Sequence, residues 1–264
     1  LFNSVIVVTD RRVLNRQIQD NIRQFEQTPG VVEYIDESKS SQELKIAIEQ
    51  GKRVIVTTLQ KFPIISETIA QNKDKTYAVI IDEAQDYSPF QLTVLQQLFP
   101  KARMTILGDG HQTIHPHTFN NPSLLDTQLY GEQAEKMILT KSYRSTKQII
   151  QLTAKILNDG SEIEAFNRNG PEPSITIVPN ELELMDQIIQ NIDHLSIEFE
   201  TIAVICKTAA ECSAVYKQLN NRVDIQLINH NSKQFKKGIL LLPAYMAKGI
   251  EFDAVIIYNA SAAN

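Results

Sequence analysis

Two adjacent acids, Asp82 and Glu83, close a short apolar run, Ala78 to Ile81, that reads as a strand buried on both faces of a parallel sheet. In an open α/β sheet the carboxyl ends of the strands border the ligand crevice. Carboxylates there suit phosphoryl chemistry, one holding Mg²⁺ and its neighbour orienting or deprotonating an attacking water. Taken alone, an Asp-Glu pair more often marks a strand that simply ends in a polar turn. Gly108-Asp109-Gly110-His111-Gln112-Thr113-Ile114 follows the next apolar run in the same way. Gln112 would then reach the acids from a neighbouring strand end, where its amide could bond a γ-phosphate oxygen and the water. The alternative is a Gly-rich turn with Gln112 in solvent.

Arg144, in Ser142-Tyr143-Arg144-Ser145, sits at a strand-to-helix turn. Its planar fork could stabilise transferred phosphoryl charge, although a lone arginine more often makes a surface salt bridge. Ala247-Lys248-Gly249-Ile250-Glu251-Phe252-Asp253 precedes the last apolar run. Gly249 would permit close backbone approach and Glu251 could accept a ribose hydroxyl, or the string is a turn with solvated charges.

The elements that must position these residues alternate. Apolar strands are expected at Ser4–Thr9, Val31–Ile35, Arg53–Thr58, Ala78–Ile81 and Met104–Leu107. Helical spacing runs through Leu14, Ile18, Ile22 and Phe25, and again over Leu44 to Ile48. Ser88-Pro89 reads as an N-cap with Pro in the first turn of a helix to about Phe99. Beyond a Pro/Asn/His-rich stretch, further strands are expected at Lys136–Thr140, Ile175–Val178, Ile202–Cys206, Ile225–Ile228, Ile239–Leu242 and Val255–Tyr258. A helix through about Leu157 follows Ser145, and another carries Met185, Ile188, Ile189, Ile192 and Leu195 on one face. Strand–helix alternation of this kind predicts α/β architecture with parallel sheets. The economical division is two lobes, 1–135 and 136–264, with a loop or linker over about 158–173.

The totals agree with such a molecule. The chain has 264 residues, 42% apolar and 22% charged, ordinary values for a globular protein. No apolar run approaches the roughly 18–20 residues of a membrane span. The start, Leu1-Phe2-Asn3, reads as an excised piece rather than a secretory leader. Cys206 and Cys212, the only cysteines, fit buried thiols of a reducing, cytoplasmic compartment. A net charge of −5 means that any nucleic-acid binding must come from a local patch.

Taken together and in order, the four strings resemble motifs II, III, IV and V of superfamily 1 helicases of the UvrD/Rep type. Asp82-Glu83-Ala84-Gln85-Asp86-Tyr87-Ser88-Pro89 and Leu241-Leu242-Pro243-Ala244-Tyr245-Met246-Ala247-Lys248-Gly249 are most similar to the HelD (helicase IV-like) branch. The resemblance implies two RecA-like lobes of a P-loop NTPase core, ATP and Mg²⁺ as cofactors, and translocation along single-stranded or duplex DNA. It implies Asp82 on the metal, Glu83 as the activating base, Gln112 and Arg144 on the γ-phosphate, and Gly249 with Glu251 at the nucleotide. For Gram-positive members of that branch it also implies partnership with RNA polymerase.

The first third resembles a different motor. Val7-Val8-Thr9-Asp10-Arg11-Arg12-Val13-Leu14 and Thr57-Thr58-Leu59-Gln60-Lys61-Phe62-Pro63 are similar to segments of the type I restriction endonuclease R subunit, a superfamily 2 translocase. That likeness implies phosphate contacts by Arg11, Arg12, Thr57, Thr58, Gln60 and Lys61. Gly-x-x-x-x-Gly-Lys-Ser/Thr occurs nowhere in the 264 residues, and the arginine-bearing motif VI expected after Tyr258 is not there. His115-Pro116-His117-Thr118-Phe119 stands where related motors stack bases, leaving Phe119 as the nearby aromatic. The first lobe is therefore expected to be incomplete, and this chain by itself not to turn over ATP. Two rivals remain at this stage: a restriction-translocase motor, and a non-catalytic module that docks on RNA polymerase.

Overall fold

The computed structural model describes residues 2–9, 30–35, 39–63, 65–66, 69, 74–112, 134–156, 163–229, 232 and 236–260. The expected helix from Leu14 to Phe25, Arg11, Arg12 and the stretch with Phe119 lie outside the described residues.

Among the described residues the first half builds one sheet from β1 (Ser4–Thr9), β2 (Val32–Tyr34), β3 (Val54–Thr58), β4 (Tyr77–Ile81) and β5 (Arg103–Ile106). The order is β2-β3-β1-β4-β5 and every pairing is parallel. Helices α1 (Ser41–Glu49) and α2 (Pro89–Leu98) join these strands. Ser88 starts α2 through a reciprocal cap, its Oγ accepting from the Gln91 N–H and its own N–H donating to Gln91 Oε1 at 2.7 Å. One core unites the layers, with Ile6, Val8, Ile55, Val79, Ile81, Leu92 and Leu95 buried together. Phe99 closes its lower edge, meeting Phe62 and Tyr77 edge-on at 5.8 and 5.3 Å.

A second, separate sheet contains β8 (Thr201–Cys206), β9 (Ile225–Leu227), β10 (Gly238–Pro243) and β11 (Ala254–Ile257) in the order β11-β8-β10-β9, again all parallel. Helix α4 (Glu181–Leu195) packs Met185, Ile188 and Ile192 onto one face of it, together with α5 (Ala209–Leu219). Its other face gathers Ala203, Leu240 and Leu242 with Met246 of the short α6 (Ala244–Ala247). Between the two sheets, β6 (Lys141–Ser142) pairs with β7 (Glu164–Ala165) around α3 (Lys147–Ile156).

Two sequence expectations fail. Neither Lys136–Thr140 nor Ile175–Val178 forms a strand, and their apolar side chains stand in solvent, Leu139 at 81% and Ile177 at 92% exposed. An apolar run becomes a strand only where a neighbour completes its hydrogen-bond ladder; the Thr140 carbonyl accepts the Glu164 N–H at 2.8 Å, but neither segment builds a continuous ladder among the described residues. Ala209–Leu219 is a helix the periodicity reading passed over, started by Thr208 Oγ1 accepting from the Glu211 N–H.

Candidate functional site

Strand β4 delivers the two acids where they were expected. The ladder continues one residue past Ile81, with the Asp82 N–H donating to the Val8 carbonyl at 3.1 Å. The chain then turns sharply, because Glu83 adopts the left-handed conformation at φ 53°, ψ 41°, and residues 84–86 form a single helical turn. A non-glycine residue there carries strain that its surroundings must hold. The hold is visible: the Glu83 N–H donates to Asp82 Oδ1, and the Ala84 N–H donates to the Leu107 carbonyl at 2.8 Å.

The neighbouring strand end brings Gln112 to the same place. Asp82, Glu83, Gln85, Gly108, Asp109 and Gln112 line one open pocket. Gln85, itself buried, spans it, donating from Nε2 to Glu83 Oε2 at 2.5 Å and accepting the Asp109 N–H on Oε1 at 3.0 Å. Gln112 Nε2 donates to Asp109 Oδ2 at 2.7 Å. Gly108 lies in close approach, a Cβ there meeting Gln85 Oε1 at 3.0 Å.

Burial pushes the Asp82 carboxyl above its ordinary range, and the Glu83 charge adds to the rise. The Glu83 N–H and the Arg144 guanidinium oppose it. A divalent cation would act in the same direction as Arg144. Among the described residues no group of three or more His, Cys, Asp or Glu could cage a metal by itself. Asp82 and Glu83 supply carboxylates of the kind that hold Mg²⁺, whose shell phosphate oxygens usually complete.

From the other half, Arg144 lies in the turn between β6 and α3, close enough to Asp82 for its charge to be felt there. Its Nε pairs with Glu251 Oε1 at 2.6 Å, both side chains more than half exposed. Glu251, expected at a ribose, is thus held by Arg144 in this structure. Gly249 takes φ 79°, a conformation that favours glycine. Lys248, quoted in its motif but given no role, reaches back to β4, its Nζ 2.9 and 2.8 Å from the two Asp86 oxygens and 3.3 Å from Glu83 Oε2.

The residues expected along a phosphate track are placed differently. Thr57 and Thr58 are buried at the end of β3, so neither hydroxyl is presented to a phosphate. Lys61 turns inward to the Lys39 carbonyl at 2.5 Å. Gln60 is exposed. Gln85, Asp86 and Lys248 are what the sequence reading missed. All three stand in the quoted strings, but polar residues beside an acid pair look like an ordinary solvated turn until burial is known.

Known ATPases and DNA helicases are similar to parts of this chain. Residues 2–106 match the family described as SWI2/SNF2 ATPase. The ATP-dependent DNA helicase PcrA of Leuconostoc citreum is 22% identical over 206 residues, covering 74% of this chain and 28% of that protein. UvrD2 of Mycobacterium tuberculosis H37Rv is 33% identical over 109 residues, 38% of this chain and 16% of that helicase. The chain therefore spans under a third of the length of these curated relatives. The solved C-terminal domain of a possible DNA helicase from Lactobacillus plantarum WCFS1 is 36% identical, covering 44% of this chain and 67% of that one, with a TM-score of 0.38. With motifs II to V in order and Asp82, Glu83 and Gln112 lining one pocket, the chain is similar to superfamily 1 helicases of the UvrD/Rep type.

Proposed function

We propose that this chain is a fragment of a two-lobed, ATP- and Mg²⁺-driven DNA translocase of the HelD branch, the lobes meeting at about residue 135. The observation that carries the reading is the shared pocket of Asp82, Glu83 and Gln112, with the Arg144 charge acting on Asp82 from the second half. Bound Mg²⁺ and ATP would supply the reacting phosphate and its charge neutralisation. Asp82 would hold the metal, Glu83 would take the proton of the attacking water, and Gln112 would leave Asp109 to orient it. Arg144 would exchange Glu251 for phosphate oxygens, freeing that carboxylate for the ribose. The wording from Asp82 to Pro89 and from Leu241 to Gly249 supports the HelD branch.

The test is phosphate release with Mg²⁺ and single-stranded DNA, in the ATP-hydrolysing protein that carries these residues. Glu83→Gln should abolish turnover while leaving ATP binding in place. Turnover that survives the substitution would remove Glu83 from the chemistry. The 264-residue chain alone, with no phosphate-loop motif in its sequence, should not turn over ATP.

A second reading is a docking module for RNA polymerase. It draws support from the ion pairs that already occupy Glu83, Asp86, Arg144 and Glu251. Nucleotide binding, followed by calorimetry, separates the two, because a docking module has no need of it.

A further inference from the structure

Arg144 is carried by a turn with little of its own to hold it. Residues 143–146 lie between β6 and α3, and β6 pairs only with β7, apart from the two larger sheets. Among the described residues of α3, Ile150 alone is buried. The guanidinium rests on Glu251 at the surface, a pair that must come apart before Arg144 can meet phosphate. What then aims the side chain is the backbone from which it springs.

That backbone is clasped by the segment from Glu164 to Gly170. The Thr140 carbonyl accepts the Glu164 N–H at 2.8 Å, and the Ser142 carbonyl accepts the Phe166 N–H at 3.0 Å. The Tyr143 and Phe166 rings pack with their centroids 4.8 Å apart. Arg168 takes both ends of the turn. Its Nη1 donates to the Arg144 carbonyl at 2.9 Å, and its own carbonyl accepts the Lys147 N–H at 2.8 Å. Gln148 Oε1 accepts the Gly170 N–H at 2.9 Å. Gly170 fits there because it lacks a side chain: a Cβ would stand 2.5 Å from Thr146 Cγ2 and 2.9 Å from Thr146 Cβ. Thr146 begins α3, its carbonyl accepting the Ile150 N–H at 3.1 Å. Rotation about χ1 cannot move its Cβ, so an added methyl must displace the backbone at the start of the helix.

Each of these exposed hydrogen bonds is modest by itself. They follow one another along two chain segments, so the turn shifts only if several give way together. We infer that residues 164–170 brace the Arg144 turn, and that Arg168 and Gly170 are positioning residues acting through its backbone. For its effect on turnover the inference rests on the reading of Arg144 as the phosphate-facing arginine; the brace itself rests on the contacts.

Two measurements separate those layers. Hydrogen exchange on the 264-residue chain, without nucleotide, follows the brace. Gly170→Ala should speed exchange of the Lys147, Ile149 and Ile150 amides about ten-fold or more. Arg168→Ala, a surface change that keeps the test alive if Gly170→Ala fails to fold, should speed the Lys147 amide about three-fold or more. Arg168→Lys, which keeps a donor for the Arg144 carbonyl, should stay within about two-fold of the parent. Unchanged exchange in the folded variants overturns the inference. Phosphate release from the ATP-hydrolysing protein with DNA follows the positioning. Arg168→Ala should lower kcat about five-fold or more while KM for ATP stays within about two-fold. In an Arg144→Ala background the same change should cost less than about two-fold, because nothing remains for it to aim. A loss of equal size in both backgrounds means that Arg168 acts on its own and overturns positioning, as does altered exchange with unchanged kcat. If Arg144→Ala leaves kcat intact, the phosphate-facing role of Arg144 fails and the effect on turnover falls with it, while the exchange result decides the brace.

Discussion

Gln85 holds Glu83: its Nε2 donates to the Glu83 Oε2 oxygen at 2.5 Å, while its Oε1 accepts the Asp109 N–H at 3.0 Å. One buried amide thus ties the end of β4 to the turn after β5. Gln85→Ala leaves the Asp109 N–H without that partner and removes one of two contacts on Glu83 Oε2. The expected cost is about 1–3 kcal/mol, read from urea unfolding. Gln85→Glu should cost more, since a second carboxylate then faces Glu83. A variant as stable as the parent would mean that water serves the Asp109 N–H equally well.

Gly108 makes the Gln85 bridge possible, and the coupling between them is measurable. An added Cβ would sit 3.0 Å from Gln85 Oε1 and 3.4 Å from both Ala84 Cβ and the Gln85 nitrogen. Gly108→Ala should therefore destabilise the fold by displacing the amide. In the Gly108→Ala, Gln85→Ala double variant the obstructing group is gone, so the combined cost should fall short of the sum. Strict additivity would show that the clash is with the backbone of residues 84–85 instead.

The sequence made the framework readable to different depths in its two halves. Ala78–Ile81 and Met104–Leu107 could be seen as neighbouring buried strands because each is a short apolar run with an abrupt polar end. That placed Asp82, Glu83 and Gln112 together correctly in space. Lys136–Thr140 and Ile175–Val178 have the same appearance, yet build no continuous ladder among the described residues, which no local pattern reports. Lys248 was illegible for a related reason. A lysine beside a glycine signals a solvated turn, and only the approach of the second half to the end of β4 buries it on Asp86. Thr57 and Thr58 show the converse, polar residues assigned to a surface that the fold places inside.

Asp82 sets a pH-dependent penalty whose sign can be worked out. Burial is the largest influence and raises its pKa, so the folded chain holds the proton more tightly than the unfolded chain. The resulting stabilisation is present in acid and is lost as pH rises through the folded value. At neutral pH the wild type therefore carries a buried charge that Asp82→Asn removes. Thermal unfolding should show the Asn variant more stable near pH ~7, with the advantage shrinking as pH falls to about 3, below the ordinary carboxyl range. An advantage constant across that interval would mean the gain has another origin than the charge.

Arg144 and Lys248 pair with different acids, Arg144 with Glu251 at the surface and Lys248 with Asp86 inside. The Arg144–Glu251 pair is 2.6 Å long, but the two side chains are 65% and 54% exposed. An exposed pair of this kind contributes roughly 0–1 kcal/mol and is screened by salt. Glu251→Gln and Arg144→Ala should accordingly leave the unfolding midpoint almost where it was, at low and at high salt alike. If Arg144 meets phosphate in the transition state, its loss belongs to turnover instead. In the ATP-hydrolysing protein Arg144→Ala should then lower kcat by about 10³ or more. The weakness of the surface pair is what permits this, since a guanidinium buried on Glu251 could not be surrendered to a nucleotide without large cost. Unfolding curves and phosphate release on the same Arg144→Ala sample decide it. A large loss of stability with little change in kcat would make Arg144 a strut and take it out of the chemistry.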